Sequence, residues 1–235
     1  MRRGIDAIAV AAGSLEIDRS ADVRVRQFAL RQLYQMIDAP HAAADMIVLT
    51  LPDGSTRDVP MGTVGRDVVA TIGARLLQAS IAIAVDGEVM DLMTPLRKSG
   101  AFVVITDKDP RALAVLRHSG AHVLATAVRR LRPDAKIGFG PAIDDGFYYD
   151  FEVDKPFTPE DLAAFEAEMK KVAAEKFPFV REEVSLTDAR QKFVDDPLKL
   201  ERLDDFEGSD EVISTYTDGP FIDLCRGPHV PDTSY

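Results

Sequence analysis

The sequence of 235 residues has a single cysteine and lacks any long apolar run. One cysteine excludes a disulfide within the chain and fits a reducing compartment, so we predict a cytoplasmic protein. No apolar stretch approaches the roughly 20 residues that a membrane-spanning helix needs, so we expect no membrane partner. Near the start, Asp6 interrupts a very short apolar stretch, which argues against a secretory signal.

Positive charge is also scarce, because 28 Lys and Arg stand against 39 Asp and Glu and leave a net charge of −11. Such a balance argues against a protein that coats nucleic acid generally. The region from Lys108 to Lys136 is an exception, with seven basic side chains and two acidic ones. It is either the solvated face of a helix or a surface that contacts a phosphate backbone. The candidate RNA-binding residues are Arg117, Arg129, Arg130 and Arg132.

The chain has no internal repeats or low-complexity tracts, and its patterning changes at two points. Residues 1–45 contain one helical candidate, at residues 21–37, and we interpret them as an extension of unknown role. Residues 46–107 begin with "MIVLTLPDGSTRDVP", which is typical of a hairpin, and continue with "TVGRDVVATIGARLL" at helical spacing. Further strands follow, so we predict a small α+β module.

Residues 108–235 are predicted to form a second α+β domain. Asp109 and Pro110 are typical of a helix start, and the expected core-facing residues of that helix are Leu113, Leu116, Gly120, Leu124, Ala127 and Leu131. A second helix follows Thr158, with a predicted buried stripe of Leu162, Phe165, Met169 and Val172. The acidic segment 201–211 is expected to be a solvated loop, and "VISTYTDGPFIDL" a final hairpin.

Two pairs of side chains with chemical potential lie far apart in this second domain. His118 and His122 are four apart on the first helix, so both can point to one site; we expect them to border the core rather than fill it. Cys225 and His229, in "CRGPH", follow the last hairpin on a loop of the kind that displays functional side chains. The four residues have the ligand types of tetrahedral zinc, although their spacing does not match a zinc finger. Metal binding and hydrolysis both remain open at this point.

Four segments taken together carry a resemblance to a known family. "RHSGAHVLA", "IGFGPAIDDGFYYDF", "FTPEDLAAFEAEMKK" and "DLCRGPHVPDT", in that order and spacing, resemble the editing domain of bacterial threonyl-tRNA synthetases. The preceding "MIVLTLPDGSTRDVP" and "VDGEVMDL" resemble the ubiquitin-like TGS module of the same enzymes. Editing domains of alanyl synthetases share the two pairs, but no TGS module precedes them. The resemblance implies a β-grasp fold for residues 46–107 and a two-layer α/β editing domain for residues 108–235.

The function implied by this resemblance is hydrolysis of seryl-tRNA(Thr) at its 3′-terminal ester. Its site residues would be His118, His122, Lys199, Asp223, Cys225 and His229. His118 and Lys199 would orient or deprotonate water, Asp223 would hold the ammonium or hydroxyl of serine, and the others would shape the pocket. Lys199 has a second interpretation, as a solvated lysine among acids. Tyr148 and Tyr149 alternate along the chain, so only one of them is expected to face the site.

The resemblance also implies partners and cofactors. The partners would be the acceptor end of tRNA(Thr) carrying serine and the remainder of the synthetase. Editing would need no metal, although His118, His122, Cys225 and His229 could bind zinc. ATP and magnesium belong to an aminoacylation domain that is absent from a chain ending in "DTSY", so we expect no ligase activity from it. A zinc-dependent hydrolase and a non-catalytic RNA-binding module remain the alternatives.

Overall fold

The computed structural model describes residues 45–235, so the helix predicted at residues 21–37 lies outside the described residues. Residues 46–106 form a mixed five-stranded sheet in the order β2-β1-β5-β3-β4, in which only β1 and β5 are parallel. This arrangement, with helices between the second and third strands, confirms the predicted β-grasp fold. The elements are β1 Met46–Thr50, β2 Thr56–Pro60, α1 Gly65–Ile72, α2 Ala74–Ala79, β3 Ser80–Val85, β4 Glu88–Asp91 and β5 Gly100–Thr106.

Strand β3 is buried along its whole length because both faces of the sheet are covered. Ile83 and Val85 pack in the core of the β-grasp module with residues of α1. Ala82 and Ala84, on the opposite face, belong to a second core that includes Val115 from the following domain. The β-grasp sheet and the elements after residue 108 therefore share one hydrophobic core.

The second domain places two long helices against a three-stranded antiparallel sheet of order β10-β11-β12. Two further pairs of very short strands, β6 with β9 and β7 with β8, also pack against the first helix. The elements are α3 Ala112–Leu131, β6 Lys136–Ile137, β7 Ala142–Ile143, β8 Gly146–Phe147, β9 Phe151–Glu152, α4 Pro159–Glu175, β10 Phe179–Val184, α5 Leu186–Lys192, α6 Pro197–Asp204, β11 Ile213–Asp218 and β12 Phe221–Leu224. Among the described helices, none combines the length and the apolar character needed to cross a membrane.

Helix α3 buries only part of the predicted face: Ala127 is buried and Leu116 and Leu124 pack against the cores, whereas the leucines at its two ends are exposed. It begins at Ala112, and Asp109 accepts hydrogen bonds from the backbone and guanidinium of Arg111. Leu113 and Leu131 are 49% and 42% exposed. The buried residues are mostly small, namely Ala112, Val115, Ser119, Ala121, Val123, Ala125, Thr126, Ala127 and Val128, with His122 among them. Small side chains are required there because neighbouring elements enclose the helix. His122 is only 2% exposed, so the expectation that it borders the core is wrong.

Two of the other helices in this domain, α4 and α6, correct further expectations. Helix α4 has the predicted capping box between Thr158 and Asp161, and its Phe165 is buried, but Leu162 is 61% exposed and does not join the stripe. Helix α6 extends into the acidic segment that was expected to be a loop. Asp196 caps it by accepting from the backbone N–H of Lys199, and a proline occupies its first turn.

Candidate active site

Helix α3 and the loop after β12 bring His118, His122, Cys225 and His229 together, and we call these four residues the His/Cys cluster. One ligand atom from each lies within 4.8 Å of all the others. The Sγ of Cys225 is 3.3 Å from Nε2 of His118 and 3.3 Å from Nε2 of His229. The two pairs therefore meet in one place, as the family resemblance implies.

The loop that carries His229 turns back because of a close approach at Gly227. This glycine has a φ of 73°, and a Cβ on it would lie 2.0 Å from the hydroxyl oxygen of Tyr216. Only glycine fits such a position, both for its backbone conformation and for its contact. Before the turn, Cys225 stays aligned with β11, since its N–H donates to the carbonyl of Ser214.

His229 is held in one orientation by a hydroxyl on α3. Ser119 Oγ donates to the carbonyl of Val115 at 2.8 Å and lies 3.1 Å from Nδ1 of His229. The hydroxyl therefore contacts the helix backbone and the imidazole at once, which fixes the orientation of the His229 ring. Burial and the charge of His122 lower the pKa of His229 well below its usual value. It is therefore a neutral imidazole at physiological pH.

His122 and Cys225 form a buried pair of opposite charges. Burial disfavours the charged form of His122, but Asp218, Cys225 and Asp223 outweigh it and raise the pKa of His122 to about 10. Nδ1 and Nε2 of His122 lie 3.8 Å from the carboxylates of Asp218 and Asp223, respectively. Burial likewise disfavours the thiolate of Cys225, yet His118 and His122 lower the pKa of Cys225 to about 6. At neutral pH the cluster holds an imidazolium beside a thiolate.

Lys199 is a buried member of the site, so its interpretation as a solvated lysine is wrong. Its side chain is 2% exposed, and Nζ lies 2.5 Å from Oδ1 of Asp223. It also donates to the carbonyl of Gly138 and lies 4.3 Å from the ring centre of Phe139. The capped start of α6 turns this lysine inward, which supplies Asp223 with a cationic partner.

Tyr149 makes the other contact with Asp223, whereas Tyr148 lies at the rim. The hydroxyl of Tyr149 donates to Oδ2 of Asp223, and burial with the charge of Asp223 raises the pKa of Tyr149, so the phenol stays protonated. Tyr148 is 49% exposed. Both tyrosines line a cavity of about 560 Å³ that His118, Asp223 and Cys225 also line, so the expectation that only one faces the site is wrong. This volume is within the range of small-molecule sites.

Three of the four arginines proposed to bind RNA are engaged within the protein. Arg117 donates to the carbonyls of Ile143 and Asp144 in the β7–β8 turn. Arg130 pairs with Glu168 and Glu175 on α4, and Arg132 pairs with Asp134 and lies over the ring of Phe157. Arg129 is exposed. Contact with phosphates stays a prediction, and Arg129 is its best placed residue.

Asp218 and Thr126 belong to the site but were not identified from the sequence. Asp218 is fully buried; its Oδ2 accepts from the hydroxyl of Thr126 at 2.7 Å, and its Oδ1 faces His122. In the sequence Asp218 precedes Gly219 and reads as a turn residue. The sequence feature that indicates a role for Thr126 is on α3, where Ser119, His122 and Thr126 share one helical face.

This arrangement suits two kinds of chemistry. A tetrahedral zinc ion with bonds of about 2.0–2.3 Å to nitrogen and sulfur separates its ligand atoms by about 3.3–3.6 Å. The two 3.3 Å contacts of Cys225 are close to this range, so the His/Cys cluster fits zinc. Without a metal, the buried cations His122 and Lys199 suit stabilisation of a developing oxyanion, and His118 borders the cavity as a proton acceptor.

Comparison with known proteins gives two results. Residues 46–105 match the TGS domain family. About four fifths of the chain aligns with proteins named threonine–tRNA ligase: 46% identity over 193 residues with that of Anoxybacillus flavithermus, 47% over 191 with that of Geobacter sp. strain M21, and 45% over 193 with threonine–tRNA ligase 1 of Bacillus subtilis. The chain spans about 30% of the length of these relatives, in their amino-terminal region. The resemblance read from the sequence motifs is thus confirmed.

The charge state of Cys225 can be measured through its alkylation. With chelator present, the rate of reaction with iodoacetamide should rise with pH through a midpoint near 6, because His118 and His122 stabilise the thiolate. A midpoint near the ordinary thiol value of about 8.5 would contradict this description of the cluster.

Asp218→Asn tests how His122 is kept charged. Removing the carboxylate lowers the pKa of His122, and the loss of its positive charge should move the midpoint of Cys225 alkylation to higher pH by about one unit. The matched control is Asp195→Asn, an exposed aspartate, which should leave the midpoint unchanged. Equal midpoints in the wild type and Asp218→Asn would show that Asp218 does not determine the charge of His122.

Proposed function

We propose that this chain, which aligns with the amino-terminal region of threonine–tRNA ligases, carries an editing site that hydrolyses seryl-tRNA(Thr). The observation that carries the proposal is a cavity lined by His118, His122 and Cys225 of the His/Cys cluster and by Asp223, which is itself bound by Lys199 and Tyr149. The relatives are named threonine–tRNA ligases, and the need for editing that we propose follows from the amino acid in that name.

Serine differs from threonine by one methyl group, and the pocket in which a synthetase activates threonine cannot exclude the smaller serine by size. Such a difference gives about 1–3 kcal/mol, or roughly 10–200-fold discrimination. A second pocket that admits serine and excludes the extra methyl corrects the error by hydrolysis. Asp223 is suited to recognise the ammonium or hydroxyl of serine, because its carboxylate is buried beside the cavity.

His118 is the best placed base among the three imidazoles. His122 is already protonated at neutral pH and His229 is 1% exposed, whereas His118 is partly exposed and lines the cavity. A water molecule gives its proton to His118 and attacks the ester carbonyl carbon. The proton then passes to the ribose oxygen as the carbon–oxygen bond breaks, releasing serine and tRNA with a free hydroxyl.

Lys199 serves this reaction as a cation rather than as a base. Its ammonium donates to Asp223 and to the carbonyl of Gly138, so it orients Asp223 and stabilises negative charge that develops nearby. His122 adds a second buried positive charge. Cys225 lines the cavity beside His118, and His229 contacts the Sγ of Cys225 at 3.3 Å.

The partners are the serine-carrying acceptor end of tRNA(Thr) and the remainder of the synthetase, in the cytoplasm. Arg129, exposed at the end of α3, is proposed to contact a phosphate of the acceptor arm. This contact would weaken with salt and would not depend on base sequence. ATP and magnesium serve aminoacylation, a separate reaction for which we assign no residue of this chain.

A zinc-dependent hydrolase is the second candidate, favoured by the fit of the His/Cys cluster to a tetrahedral ion. Zinc held by three of these side chains, with water as its fourth ligand, would lower the pKa of that water. His118 would then be a ligand and not a base. A non-catalytic RNA-binding module is a third candidate, which predicts salt-dependent tRNA binding without deacylation.

His118→Gln tests the assignment of the base. Because general base catalysis contributes about 10²–10⁴-fold, the rate of deacylation of seryl-tRNA(Thr) should fall by that factor. Lys170→Ala, on the exposed face of α4, is the control and should retain the wild-type rate. Unchanged deacylation by His118→Gln would contradict its role, and threonyl-tRNA hydrolysed as fast as seryl-tRNA would contradict an editing function.

Chelation separates the first two candidates. Deacylation by the wild-type protein should persist after complete removal of metal, because side chains and water carry the proposed reaction. The measurement is the rate before and after dialysis against chelator, with metal content determined in the same samples. Activity lost on dialysis and regained with one equivalent of zinc would establish the zinc-dependent hydrolase instead.

A further inference from the structure

The β-grasp module contributes a carboxylate to the support of the candidate site. Asp91 is the last residue of β4, and it lies behind the loop that carries His229. Its Oδ1 accepts from the backbone N–H of His229 at 2.6 Å, and its Oδ2 accepts from the hydroxyl of Tyr216. Asp91, in the β-grasp module, thus links the His229 loop and the Tyr216 side chain of the second domain.

Tyr216 connects Asp91 to the turn that directs the loop. The ring of Tyr216 lies 4.5 Å from that of His229, and its hydroxyl occupies the space that a side chain at Gly227 would need. The hydrogen bond to Asp91 therefore fixes the hydroxyl against which the turn is folded. Tyr216 is 1% exposed, so no bulk water competes for this bond.

The loop is anchored from two opposite sides. Ser119 on α3 accepts from the N–H of Val230 and contacts Nδ1 of His229, while Asp91 accepts from the N–H of His229. The N–H groups of two successive residues, His229 and Val230, are thereby bound to β4 and to α3 respectively. With both anchors in place, Nε2 of His229 is held 3.3 Å from the Sγ of Cys225.

We propose that Asp91 is a positioning residue that keeps His229 in register with the rest of the His/Cys cluster, so that the TGS module forms part of the editing site. Loss of its carboxylate leaves two poorly hydrated donors, the His229 N–H and the Tyr216 hydroxyl, without an acceptor. The loop relieves this by shifting, and a displacement of about 1 Å in such a site can lower a rate by about 10²-fold. The catalytic part of this proposal rests on the editing function proposed above.

The test compares Asp91→Ala and Asp91→Asn in the full chain with Asp86→Ala as the matched control. Asp86 lies in the same module and also accepts a backbone N–H, that of Ala101 at 2.8 Å, but it is exposed and contacts no residue of the site. Asp91→Ala should lower kcat for deacylation of seryl-tRNA(Thr) by about 10–100-fold with KM within twofold of wild type. Asp91→Asn, which retains one acceptor oxygen, should restore part of the loss, and Asp86→Ala should keep the wild-type kcat.

A second readout does not depend on deacylation. The loop shift exposes Cys225, so its alkylation by iodoacetamide at fixed pH should accelerate at least about fivefold in Asp91→Ala and not in Asp86→Ala. If the wild type has no deacylase activity, the proposed function fails while this comparison still decides the role of Asp91. If Asp91→Ala does not fold, Tyr216→Phe and Asp91→Asn carry the same two measurements. Rates equal to wild type in the Asp91 variants, or equally reduced in Asp86→Ala, would overturn the proposal.

Discussion

The structure depends on one electrostatic constraint, the burial of several charges in a small space. His122 and Lys199 are buried cations, and Asp218, Asp223 and the thiolate of Cys225 are their partners. Taking an ion out of water is so unfavourable that each must be paired with an opposite charge. Helices α3 and α6 supply the cations, and the β11–β12 hairpin and the loop after it supply the anions.

The same constraint explains the choice of small residues on α3. The helix must come close to the sheet for His122 to reach Asp218 and Asp223, so Ala121, Ala125 and Thr126 occupy the face that larger side chains would hold apart. A close approach also recurs at Gly227, where the absence of a side chain lets the His229 loop fold over Tyr216. The small residues on α3 and at Gly227 thus allow the same close approach that the buried charges require. This approach holds His122 and His229 in fixed positions.

Local sequence signals predicted much of this arrangement. Alternation and turn residues predicted a small α+β module, and the family resemblance predicted its β-grasp fold. The spacing of four indicated that His118 and His122 point to one site, and the resemblance placed Cys225 and His229 in the same site. The predictions that were wrong depend on contacts between residues that are far apart in the sequence. The exposed Leu113 and the buried His122 reverse the usual hydrophobic ranking, because the partners of α3 lie about 100 residues away. Asp218 reads as a turn residue, Lys199 as a solvated lysine and Asp91 as the end of a strand, and only the folded chain reveals the charges and donors that they meet.

In the proposed reaction one cavity receives the serine ester between Asp223 and His118. The decisive measurement is a crystal structure with a non-hydrolysable analogue, in which an amide joins serine to 3′-amino-adenosine. We expect the serine ammonium or hydroxyl within hydrogen-bond distance of Asp223, and the amide carbonyl carbon facing a water bound to His118. An analogue bound elsewhere, or one whose carbonyl points away from His118 with a metal ion held by the His/Cys cluster, would contradict it.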